Sequence, residues 1–164
     1  MPIDDTARRY SGSNFIADRH GGADVSPALP APSDEVFMGA PRSKVLLIDD
    51  DPFFRKVLSD AFTESGFSVV TAQDGVEGVA VFLATSPDAV ISDLIMPRMG
   101  GVSTCMEISR LAGEKQPVLV LLTSMFHGKP RKLETPEMGA KVHIPKSTNP
   151  LDIVIIIEQL LGCG

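Results

Sequence analysis

From residue 43 onward the chain alternates between short unbroken apolar runs and longer stretches in which apolar residues recur every three or four positions. The first run, Val45 to Ile48, ends abruptly in Asp49, Asp50, Asp51 and Pro52. A short run without polar alternation fits a strand covered on both faces, as in a parallel sheet. Asp51 followed by proline reads as an N-cap with proline at the first helical position. Phe53, Phe54, Val57, Leu58, Ala61 and Phe62 then recur at helical spacing until Gly66 stops the helix. Phe67 to Thr71 reads as the second strand. Asp74, with Glu77 three residues on, offers a capping box for a helix through Val76, Val79, Phe82 and Leu83, closed by Pro87. Ala89 to Ser92 is the third strand, followed by Asp93, a loop with Pro97, Gly100 and Gly101, and a helix over Val102–Ala112. The fourth strand, Pro117 to Leu122, ends at Thr123 and Ser124. Val142 to Ile144 is a short fifth strand, and Asn149 with Pro150 repeats the cap-plus-proline signature before a helix from Leu151 to Leu161. Pro130 and Pro136 limit any helix in 125–139 to about a turn or two.

Five strand signals alternating with helical ones predict an α/β fold, a doubly wound five-stranded parallel sheet with helices on both faces. Ligands in such folds bind outside the carboxyl ends of the strands. Residues 1–42 do not share the pattern. They carry five prolines and four glycines among isolated apolar residues without a period, and such a segment buries too little apolar surface to offset the entropy of ordering it. They are expected to form a disordered or extended tail, leaving 43–164 as one domain.

Composition narrows the partners. The 164 residues hold 15 basic and 21 acidic side chains, a net charge of −6, and a hydrophobic fraction of 43%. The acidic balance argues against nucleic acid or an anionic membrane and favours cations or proteins. Apolar runs such as Val118–Leu122 and Ile153–Ile157 fall far short of the ~20 residues of a membrane span. Cys105 and Cys163 make no disulfide framework, and no basic region followed by an apolar stretch opens the chain, so a cytoplasmic protein is expected.

The chemistry collects at the strand ends. Strand one ends in Asp49 and Asp50, strand three in Asp93, strand four in Thr123, and strand five runs through Pro145 to Lys146. Three carboxylates within about 5 Å of each other would repel pairwise by on the order of 3 kcal/mol at an effective dielectric near 20. A cation must share the site, and hard oxygen ligands favour Mg²⁺ over Zn²⁺, for which no His or Cys is suitably placed. Lys146 suits a phosphoryl oxygen and Thr123 is a hydroxyl donor, so the set describes phosphoryl transfer to a carboxylate.

Val45–Pro52, then Asp88–Gly101 with its Asp93-x-x-Met96-Pro97-x-Met99-x-Gly101 loop, then Leu121–Ser124, then Gly139, Ala140 and Ile144–Ser147 resemble the receiver domain of two-component response regulators, chemotaxis-regulator-like single-domain members included. The resemblance covers residues 44–161 and implies the flavodoxin-like strand order 2-1-3-4-5. It implies that Asp93 is the phosphoacceptor for a phosphohistidine on a histidine kinase or histidine phosphotransfer protein. It implies that Asp50, Asp93 and the Ile95 backbone carbonyl bind Mg²⁺ directly, with Asp49 acting through water. Lys146 would pair with Asp93 and then with the phosphoryl group, and Thr123 would hydrogen-bond that group and draw in the following loop. Output would pass to a downstream protein effector or by relay, a switch rather than an enzyme. A phosphorylation-independent adaptor with the same fold is the alternative.

The chain also departs from the family pattern. His143 stands at the switch position where the family has Tyr or Phe, which implies a weakened or pH-sensitive switch; the alternative is an edge-strand histidine facing water. The proline-broken 125–139 segment replaces a full helix, and its basic run Lys129–Lys132 reads as a solvated loop or partner contact. Ile95 and Met125, at positions that guide hydrolytic water in the family, are both apolar, which implies a long-lived aspartyl phosphate.

Overall fold

The computed structural model describes residues 42–124, 140 and 142–162. The tail ahead of residue 42 and the 125–139 segment, with Met125, Pro130, Pro136 and the basic run, lie outside the described residues. Among the described residues five strands, β1 (Arg42–Ile48), β2 (Phe67–Ala72), β3 (Ala89–Asp93), β4 (Val118–Thr123) and β5 (Val142–Pro145), are joined by helices α1 (Pro52–Glu64), α2 (Gly75–Thr85) and α3 (Gly101–Leu111), which follow β1, β2 and β3, while α4 (Pro150–Leu161) follows β5. Arg42, left in the tail by the sequence pattern, opens β1. Its backbone N–H donates to the Gly66 carbonyl and its guanidinium reaches Glu158 at 2.9 Å.

All strand pairs are parallel, in the order β2-β1-β3-β4-β5. The apolar runs of β1, β3 and β4 are continuous because each of these strands feeds two cores. On one face Val45, Leu47, Ile91, Val120, Leu122 and Ile144 pack against Leu58 and Phe62 of α1 and Ile153, Val154 and Ile157 of α4. On the other, Leu46, Ile48, Val90, Leu119 and Leu121 pack against Phe82 of α2 and Cys105 and Ile108 of α3. Phe62 meets Phe67 edge-on at 5.4 Å between centroids, tying α1 to the start of β2.

The helix starts follow from their caps. Asp51 accepts from the backbone N–H groups of Phe53 and Phe54, and Asn149 from that of Leu151, each with proline next in line. Asp74 Oδ1 accepts from Glu77 N–H at 2.9 Å, while Glu77 reaches back to the N–H of Gln73, one residue beyond the cap itself. Among the described residues no helix is long and apolar enough to cross a membrane. The strand order reverses between β1 and β3, whose carboxyl ends open the cleft where ligands of doubly wound sheets sit.

Candidate functional site

Strand alternation sorts the candidate residues by face. Asp49 continues the series Val45–Leu47, Asp93 the series Ala89–Ile91, and Lys146 the series Val142–Ile144, all on the α1/α4 side. Thr123 continues Leu119–Leu121, and His143 pairs in register with Leu121, both on the opposite side. The charged set and the hydroxyl–imidazole pair therefore approach the rim from different layers.

At the centre lies Lys146, its Nζ 2.7 Å from Asp49 Oδ2 and 3.1 Å from Asp93 Oδ2. Asp49 is the nearer partner, a detail that strand-end chemistry does not reveal. Carboxylate oxygens of Asp49, Asp50 and Asp93 all lie within 4.8 Å of one another; the first and last are buried and Asp50 is exposed. Asp49 Oδ1 accepts from Asp51 N–H at 2.9 Å. Its Oδ2 is buried against the Lys146 ammonium. Backbone bonds brace the rim, Leu94 N–H to Leu122 O and Lys146 N–H to Thr123 O, both at 2.8 Å.

Burial pushes the Asp93 carboxyl above the ordinary aspartate range; the contact with and charge of Lys146 pull it down, the Asp49 charge raises it, and an Ile95 backbone bond lowers it. For Lys146, burial works against the ammonium, but the contacts and charges of Asp49 and Asp93 outweigh it and hold its pKa above the usual lysine value. Two neighbours went unnoticed in the sequence. The Phe54 ring lies 4.9 Å from Lys146 Nζ, a cation–π contact, although helical spacing marks Phe54 only as core. Arg55 donates from Nη1 to the Asp49 carbonyl at 2.5 Å and brings a second cation to the rim.

Thr123 is buried at the end of β4. His143 corrects an expectation, because it is buried rather than facing water. An edge strand exposes its unpaired backbone edge, whereas its side chains still project onto the covered faces of the sheet. Burial lowers the imidazole pKa, and Nε2 has no hydrogen-bond partner among the described residues.

A parallel sheet in the order β2-β1-β3-β4-β5, with three aspartates and a lysine at its switch point, defines the flavodoxin-like class of domains. Within it, the chain belongs to the response regulator receiver domains: that family's model matches residues 45–158. It is therefore a receiver domain of two-component signal transduction. Among relatives, a probable transcriptional regulator ycf27 of Guillardia theta is 32% identical over 120 residues, 73% of this chain and 46% of the relative. A protein-glutamate methylesterase/protein-glutamine glutaminase of Oleidesulfovibrio alaskensis is 39% identical over 121 residues, 71% of this chain and 32% of that protein. The chain spans about half the length, or less, of these curated relatives. The solved chemotaxis protein CheY4 of Vibrio cholerae superposes with a TM-score of 0.60 at 27% identity, covering 71% of this chain and 97% of its own.

Proposed function

We propose that this receiver is a phosphorylation-dependent switch whose phosphoacceptor is Asp93. The observation that carries the reading is the Lys146 ammonium bridging Asp49 and Asp93 beside a third carboxylate, all at the carboxyl ends of the strands. Three carboxylates against the Lys146 ammonium and the Arg55 guanidinium still leave an excess of negative charge, so the donor set suits a hard divalent cation. Asp49, Asp50, Asp93 and the Ile95 carbonyl would hold Mg²⁺. When bound it neutralises charge on the transferring phosphoryl oxygens.

An Asp93 carboxylate oxygen attacks the phosphorus of a phosphohistidine on a histidine kinase or phosphotransfer protein. The new O–P bond forms as the P–N bond breaks, and the bonding pair leaves with the donor imidazole, which takes a proton. Lys146, already paired with Asp93, keeps its ammonium on the oxygen charge as that charge passes to the phosphoryl group. Thr123 donates its hydroxyl to the same group and pulls the chain after β4 toward the pocket, presenting a changed surface to a downstream protein effector.

Incubation with a small phosphodonor and Mg²⁺, followed by intact mass measurement, tests this reading. One phosphoryl increment is expected, and it is lost in Asp93→Asn. No increment with any donor would favour the phosphorylation-independent adaptor instead.

A further inference from the structure

The loop that follows Asp93 is bolted to α2 by an ion pair with no part in the chemistry above. Arg98 pairs with Asp74, whose side chain is only 4% exposed although that of Arg98 is 61% exposed. Asp74 is already engaged through Oδ1 as the α2 N-cap, so its second oxygen is a buried charge that the guanidinium compensates. Arg98 holds φ at +67°, a left-handed backbone uncommon outside glycine, and this turn lies within the loop. The loop also closes on itself through Gly101 N–H to Leu94 O at 3.0 Å and Met99 N–H to Pro97 O at 2.8 Å. It lies so close to α2 that a Cβ on Gly75 would come 2.6 Å from the Met99 carbonyl, and α3 lies so close that the same Cβ would come 2.1 Å from Thr104 Oγ1.

Between these anchor points sits Ile95. We propose that the Arg98–Asp74 pair is a positioning clamp that fixes the backbone carrying the Ile95 carbonyl and thereby sets how tightly the three-aspartate pocket holds Mg²⁺. The inference rests on the Mg²⁺ reading of the pocket and assigns its geometry to two residues that touch neither metal nor phosphoryl group. Outer-shell partners of this kind govern metal affinity by orienting the ligands.

The test titrates MgCl2 calorimetrically into the full chain and its variants, with hydrogen exchange of the 94–100 amides followed in metal-free protein. Asp74→Asn retains an N-capping oxygen while removing the charge, and Arg98→Asn tolerates the left-handed backbone while removing the guanidinium. Each single variant is expected to bind Mg²⁺ roughly tenfold more weakly. The double variant should be no weaker than either single. Arg98→Lys should recover most of the affinity, and the loop amides should exchange faster in both charge-removing variants. Wild-type Mg²⁺ affinity in Arg98→Asn and Asp74→Asn, with only a lowered melting temperature, would overturn the clamp and leave the pocket reading intact. A wild-type chain that takes up no Mg²⁺ would instead overturn the pocket reading and the clamp with it.

Discussion

Asp93 is held against its own electrostatic preference. Burial and the neighbouring Asp49 raise its pKa, and Lys146 offsets only part of the effect. A carboxyl with a raised folded-state pKa binds its proton more tightly in the folded chain than in the unfolded one. Its stabilising contribution is therefore present below the unfolded pKa and lost as pH rises through the folded value. Asp93→Asn removes the ionisation and should melt at a higher temperature than the wild type at neutral pH without divalent cations. That advantage should shrink as the pH falls toward the ordinary aspartate range, where the wild-type carboxyl also becomes neutral. Thermal melts of the two proteins across pH 3–7 check the sign. A variant less stable than wild type at neutral pH would show that pairing with Lys146 outweighs burial.

At the scale of elements, the start of α3 is fitted to Asp93 with no room to spare. A Cβ on Gly101, the first residue of α3, would lie 2.2 Å from the Asp93 carbonyl oxygen and 2.8 Å from Leu121 Cδ2. The first contact is backbone and cannot yield by rotamer change, so the helix must back away from β3. Gly101→Ala should lower stability by about 1–3 kcal/mol, the range for overpacking a tight interior. Urea unfolding measures the loss, and an unchanged midpoint would show that the α3 start yields freely. The caps are short-range chemistry and were legible in the sequence, as Asp51–Pro52 and Asn149–Pro150 show. The closeness of Gly101 to Asp93 was not, because it depends on how α3 docks on the sheet.

For the whole molecule, two helix layers and a five-stranded sheet converge on one pocket rich in negative charge. Any cation bound there by the folded chain and not by the unfolded one must stabilise the fold by linkage. Free Mg²⁺ at a hundredfold excess over its dissociation constant should raise the unfolding free energy by about 2.7 kcal/mol. The Asp50→Asn variant should gain less at the same concentration. Unfolding curves with and without MgCl2 read both, and equal gains would place the ion elsewhere.

The sequence alone determined the element types, their caps, and the gathering of Asp49, Asp50, Asp93, Thr123 and Lys146 at the carboxyl ends of strands. Hydrophobic period and terminator residues are local signals, and parallel strands put all those ends on one edge. The strand order came through family resemblance and matches the sheet. Only the tertiary structure decided that Lys146 lies nearer Asp49 than Asp93 and that Phe54 lies beside its ammonium. The burial of His143 and the pairing of Arg98 with Asp74 were likewise decided there. Each joins residues from separate elements through distances of a few ångströms. Such distances are set by how helices seat on a twisted sheet, which no local pattern along the chain encodes.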